Sequence, residues 1–278
     1  MANYTAADIK ALRERTGAGM MDVKKALDEA NGDAEKAVEI IRIKGLKGAT
    51  KREGRSTAEG LVAAKVENGV GVMVEVNCET DFVAKSAKFI ELADKVLGAA
   101  VASGAADLDS LLAAQIDGKP VSEFVVEEGA VLGEKVAVRR VARIEGKTVD
   151  AYLHKTSKDL PAQVGVLFAV DGEGEAAQAA AHDVAVHIAA MAPNYLRRED
   201  VPADLVESER RIAEETARAE GKPEAALTKI VDGRVTGFFK GEVLLDQAFA
   251  KDAKKSVGQV LQEAGVEASA FARFRVGA

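Results

Sequence analysis

Val70-Gly71-Val72-Met73-Val74-Glu75-Val76-Asn77-Cys78-Glu79-Thr80-Asp81-Phe82-Val83 is the stretch on which the fold turns. Residues 70–76 are β-branched and apolar with a single charge, which predicts a central strand. Asn77 to Asp81 are turn and cap formers. From Val83 the pattern becomes helical, with Phe89, Leu92, Ala93 and Val96 on one face. Phe82 therefore stands at a strand-to-helix junction. Its residue type favours burial as the first apolar residue of the helix. Its place among turn formers at a sheet end, where loops carry function, favours a contact role. Both readings stand at this point.

Working backwards, residues 61–67 and 70–77 flank Asn68-Gly69, a two-residue hairpin turn. Upstream of Gly60 the apolar period is helical. Thr5 and Asp8 form a capping-box pattern with Asp in place of Glu. Ile9, Leu12 and Thr16 follow on one face, and Gly17 is the stop. Gly19 precedes a second helix with Val23, Leu27 and Ala30 inward. Asp33 caps a third, with Ala37, Val38 and Ile41 inward and Gly45 as its end. Met20 and Met21 open the second helix side by side, and neighbours on a helix diverge by about 100°. Either one is exposed, where Met suits an adaptable surface, or one is core and the other partly covered. In residues 42–55, Arg42, Lys44, Lys47, Lys51, Arg52 and Arg55 face only Glu53, with glycines between them. That composition predicts a flexible basic linker or a fraying helix.

Working forwards, a helix is expected to about Val101, then a weaker one over 108–116; residues 121–134 are ambiguous. Residues 136–144 alternate as a strand carrying Arg139, Arg140 and Arg143. The pattern then returns. Residues 163–172, QVGVLFAVDG, echo residues 69–78, GVGVMVEVNC. A strand pair over 151–155 and 164–170 is followed by a helix over 176–191. Residues 256–262 and 270–276 mirror 130–134 and 138–144. The fold class is α+β with two related units. A helical hairpin interrupts the second, with Leu205, Val206, Ile212 and Ala213 on one limb. Gly221-Lys222-Pro223 is its turn, and Leu227, Ile230, Val231, Val235 and Phe238 line the return. Such an arm either meets another copy or packs back on its own body.

Composition and motifs narrow the chemistry. At 278 residues the chain holds two or three modules with cores of their own. A net charge of −7 argues against general nucleic-acid binding, and only 4% aromatic residues leaves few stacking platforms. Cys78 is the single cysteine, and the first residues carry neither a basic nor an apolar leader pattern, so a reducing cytosol is the expected location. Gly172-x-Gly174-x-x-Ala177 has the outline of a dinucleotide fingerprint. However, Glu173 and Glu175 would face the pyrophosphate, and a doubly wound sheet needs several such units. No phosphate-loop motif occurs. His182 and His187 are badly spaced for a helical metal pair, so a structural histidine is expected. No cofactor, metal or catalytic group is expected.

Two long motifs carry a resemblance. Residues 12–27, including Arg13, Met20, Met21 and Lys24, and residues 75–85, including Thr80-Asp81-Phe82-Val83, resemble the signatures of bacterial translation elongation factor Ts. The likeness continues through 139–141, 165–167, 241–243 and 257–259. It implies an α+β protein with a ubiquitin-associated-like three-helix domain and basic linker (1–55) and core subdomain N (56–145). It further implies core subdomain C (146–202 and 241–278) and an inserted coiled-coil arm (203–240). It implies guanine-nucleotide exchange on elongation factor Tu, by protein binding and without catalysis. Thr80, Asp81, Phe82 and Val83 would enter the GTPase beside its Mg²⁺. Arg13, Met20, Met21 and Lys24 would touch a helix of the same domain, and His154 would meet a β domain. No direct nucleotide, membrane or nucleic-acid partner is implied, and dimerisation would run through the arm. One rival is a nucleic-acid binder using the N-terminal helices and the basic linker, which predicts affinity falling steeply with salt. The other is a dinucleotide enzyme using Gly172 and Gly174.

Overall fold

The computed structural model of the chain describes residues 3–16, 18 and 20–278. The expected stop at Gly17, and Gly19 before the second helix, lie outside the described residues. The N-terminal segment forms α1 (Ala6–Thr16), α2 (Met20–Glu29) and α3 (Ala34–Arg52). Thr5 and Asp8 cap α1 reciprocally: the Thr5 N–H donates to Asp8 Oδ2 at 2.7 Å and the Asp8 N–H to Thr5 Oγ1 at 3.3 Å. Leu12, Val23, Ala26, Leu27, Ala30 and Ala37 make a small core.

The third helix does not stop at Gly45, and most of residues 42–55 are not a linker. The helix continues to Arg52 despite Gly45 and Gly48, each of which costs about 1 kcal/mol in a helix interior. Tertiary contact offsets this. Arg42 pairs with Glu123, at 3.2 Å, and with Glu127. Both glutamates lie on α7 (Val121–Leu132), the helix into which the ambiguous stretch resolves.

Next come β1 (Glu59–Glu67) and β2 (Val70–Cys78), paired antiparallel with Glu67 opposite Val70. Asn68 at φ 50° and Gly69 at φ 75° make the turn. The expected single helix after the strand is two: α4 (Asp81–Ala84) and α5 (Ala87–Ser103), the latter capped by Ser86, whose hydroxyl accepts from the Phe89 N–H. Then follow α6 (Leu108–Ala113), the two-residue strands β3 (Gln115–Ile116) and β4 (Lys119–Pro120), α7, and β5 (Ala137–Glu145). β5 pairs antiparallel with the free edge of β2, giving the order β1-β2-β5.

The second half holds β6 (Thr148–His154), β7 (Val164–Val170) and α8 (Glu175–Met191), then the hairpin of α9 (Ala203–Ala219) and α10 (Glu224–Glu242). The short strands β8 (Ala248–Phe249) and β9 (Asp252–Ser256), α11 (Val257–Glu263) and β10 (Ala268–Arg275) complete the chain. The second sheet is also three-stranded and antiparallel, in the order β10-β7-β6. The molecule is thus a mixed α+β protein. Among the described residues the named strands pair antiparallel, so dinucleotide binding at Gly172 has no parallel sheet to sit on. A Cβ there would come within 2.2 Å of Val266, so this glycine serves close packing.

Strand alternation places the layers. Val72, Val74 and Val76 face α5 and α7 in one core. Val166, Phe168 and Val170 face α8 and α11 in another. The intervening residues Met73 and Leu167 meet between the sheets, with Val62 and Phe274. The echoed glycines make this contact reciprocal. A Cβ on Gly71 would stand 3.1 Å from Leu167, and one on Gly165 would stand 2.7 Å from Met73. Each sheet therefore carries a notch that receives the other's large residue.

Candidate functional site

Where β2 leaves the sheet, its last residues are locked. Cys78 is fully buried, and its Sγ–H donates to the Thr80 carbonyl at 3.3 Å. Burial, reinforced by the Glu134 carboxylate, pushes the thiol up to about 12. It is therefore inert at neutral pH. Glu79 sends its carboxylate to the Lys135 N–H at 2.6 Å and to Arg55 at 3.2 Å. The Lys135 N–H bond is the main reason that this carboxyl titrates below its usual range.

Thr80 caps α4. Its backbone is extended at φ −127°, ψ 155°, and its hydroxyl oxygen accepts from the Val83 N–H. Glu134 grips the same turn. The N–H groups of Glu79 and Thr80 each donate to Glu134 Oε2 at 3.0 Å, and the Thr80 hydroxyl donates to Oε1 at 2.5 Å. α4 is one turn long, with Ala84 buried and Val83 leaning on the core.

Phe82 projects the other way and is 73% exposed. The burial expected from its residue type is not what the fold gives. Lys85 lies over the ring at 4.5 Å and also pairs with Asp81 at 3.2 Å. These surface contacts are worth about 0.5–1 kcal/mol each at most. They bias the ring's position without covering it.

The other expected residues lie on separate elements. Met20 and Met21 are both exposed, at 58% and 61%, so neither is core. Val23, Ala26 and Leu27 are the buried side of α2, and Met21 and Lys24 face away from it. Arg13 is exposed on α1. His154 is exposed at the end of β6. One of its ring nitrogens, Nδ1, is 3.1 Å from the Tyr152 hydroxyl. Tyr152 meets His182 edge-on, and His182 lies 3.2 Å from Asp150.

His187 is structural, as its spacing suggested. It is buried, its Nδ1 accepts from the Ala250 N–H, and its Nε2 therefore donates to Gln247. Burial pushes its pKa down. Among the described residues, no group of three or more His, Cys, Asp and Glu is arranged to hold a metal ion. No helix among them is long and apolar enough to cross a membrane.

Sequence reasoning missed Glu134, Lys135 and Arg55, which converge on the turn before α4. No local signal marks them, since Glu134 is 54 residues from Thr80.

A braced turn thus holds an aromatic ring out in water, where it is open to contact. The description "Elongation factor TS" matches residues 79–278. The chain is 87% identical to elongation factor Ts of Pseudarthrobacter chlorophenolicus and 75% identical to that of Micrococcus luteus, in each case over the full length of both chains. The chain belongs to the elongation factor Ts family. Membership implies a nucleotide exchange factor for elongation factor Tu in translation, acting by protein binding.

Proposed function

We propose that the chain docks on elongation factor Tu in the cytosol and frees its GDP through Thr80, Asp81, Phe82 and Val83. The single observation that carries this reading is the exposure of Phe82 on a turn held by the Glu134 carboxylate and the Lys135 N–H. A buried aromatic side chain is worth about 1.5–3 kcal/mol over an exposed one. If the ring is buried only as it wedges beside the Mg²⁺ of the GTPase, that gain opposes the hold on GDP. Expressed in the release barrier, it speeds release about ten- to a hundredfold. Because the turn is already ordered, little of the gain is lost to ordering it. Linkage makes the effect mutual, so a fresh nucleotide evicts the factor in turn.

In this reading residues 1–55 are a ubiquitin-associated-like docking domain, with Arg13, Met20, Met21 and Lys24 on a helix of the GTPase. Residues 56–145 are core subdomain N, and 146–202 with 241–278 are core subdomain C, whose His154 meets a β domain of the partner. Residues 203–240 are a coiled-coil arm through which copies pair. The chain itself takes no nucleotide, cofactor or nucleic acid.

Release of fluorescent GDP from elongation factor Tu tests the central step. Phe82→Ala should slow the factor-stimulated rate at least tenfold while melting within about 2 °C of the parent. An unchanged rate per folded molecule would remove the mechanism.

A further inference from the structure

We infer that Glu134 is a positioning residue for exchange: its carboxylate fixes the attitude of the turn that presents Phe82. The inference rests on the wedge reading above and names the group that makes the wedge stiff. Glu134 follows α7 at a sharp bend, where Gly133 has φ 80°. From there one carboxylate takes three donors from two consecutive residues, the N–H groups of Glu79 and Thr80 and the Thr80 hydroxyl. All three precede the first turn of α4, and Phe82 is the second residue of that turn.

The hydroxyl is the informative member. A threonine hydroxyl has one proton and two lone pairs. Spending the proton on Glu134 leaves a lone pair for the Val83 N–H, at 3.4 Å. The carboxylate thereby sets the rotamer in which Thr80 caps α4. A four-residue helix has no length from which to draw stability, so its orientation depends on that cap and on the packing of Val83 and Ala84 against the core. Among the described residues, the hydrogen-bond partners of the carboxylate all lie in the turn, whereas its neighbour Lys135 reaches back to the carbonyls of Glu53 and Arg55. The bracing is specific to the loop that carries the ring. It is not a general tie between domains.

Glu134→Gln keeps the volume, but its amide places a donor where Thr80 also donates. Thr80→Val removes the hydroxyl and keeps the shape. The test measures fluorescent-GDP release from elongation factor Tu against factor concentration, with the full chain, for Glu134→Gln, Thr80→Val, the double variant and Phe82→Ala. A loose wedge lowers the maximal rate at saturating factor and leaves the half-saturating concentration alone. A partly unfolded factor does the opposite. The expected result is a fall of about tenfold in the maximal rate for Glu134→Gln and for Thr80→Val. The half-saturating concentration should stay within twofold, and the double variant should be no worse than the poorer single one. If Phe82→Ala is slow and Glu134→Gln retains the full maximal rate, or shifts only the half-saturating concentration, the inference fails and the wedge reading survives. If Phe82→Ala itself is as fast as the parent, both fail.

Discussion

Phe82 is a residue whose usual habit misleads. Phenylalanine is among the most buried residue types, and here most of the ring lies in water. What holds it out is legible only in part. The turn formers Asn77 to Asp81 announce that the strand ends, and Thr80 is a typical cap. The carboxylate that fixes the turn arrives from a distant segment, and a non-local contact leaves no pattern in either stretch. Asp81→Ala should behave like Phe82→Ala, because among the described residues its carboxylate serves an exposed pair with Lys85 in the free protein, worth at most about 1 kcal/mol. The double variant should show less than the sum of the two losses in GDP-release rate, and full additivity would mean that they act separately. At the end of β2 the opposite holds. Cys78 is buried, with its thiol pushed up to about 12. At pH 8 the native chain should therefore resist iodoacetamide for hours by mass spectrometry, whereas denatured chain, at an ordinary thiol pKa near ~8.5, reacts readily. Rapid native labelling would show that the end of β2 opens.

At the scale of elements, the sequence reading succeeds where periodicity is strong and fails where partners decide. The hairpin at Asn68-Gly69 and the arm closed by Gly221-Lys222-Pro223 follow from turn chemistry and apolar spacing. The extension of α3 does not, because glycines and lysines argue locally for a linker, and packing on other helices, α7 among them, overrides them. The arm itself is partly misread. Ala213, Ala217, Leu227, Val231 and Val235 are buried, but Ile212 is 48% exposed and so does not line the seam. The feet of the arm are fastened together, since the Asn194 N–H donates to the Glu242 carbonyl at 2.9 Å and Tyr195 bridges Val243. Replacing residues 203–240 with a short flexible linker should therefore leave the core folded. Sedimentation of the complex with elongation factor Tu before and after excision tests the arm's role. Loss of the higher assembly supports pairing through the arm, and an unchanged assembly state rules it out.

At the scale of the molecule, the fold distributes one task over parts that are joined with unequal strength. The two sheets interlock through Gly71 and Gly165 and cannot be separated without exposing the apolar layer of Val62, Met73, Leu167 and Phe274 between them. Residues 1–55 are different, for they own a core of Leu12, Val23, Ala26, Leu27, Ala30 and Ala37. Their ties to the rest include the ion pairs from Arg42 to α7 and from Arg55 to Glu79. Exposed pairs of this kind are each worth about 0–1 kcal/mol. Deleting residues 1–55 should therefore leave a cooperative core, with a melting temperature several degrees lower because the face of α7 is uncovered. Glu79 loses Arg55 in that variant but keeps the Lys135 N–H, and Glu134 keeps all three of its donors. The turn that carries Phe82 stays braced, while the contacts proposed for Arg13, Met20, Met21 and Lys24 are gone. The expected kinetic signature is a half-saturating factor concentration raised about tenfold or more, with a maximal GDP-release rate near that of the full chain. That outcome would separate docking from wedging. A maximal rate that collapses while the core remains folded would instead mean that the N-terminal helices take part in loosening GDP, and the division of labour proposed here would have to be abandoned.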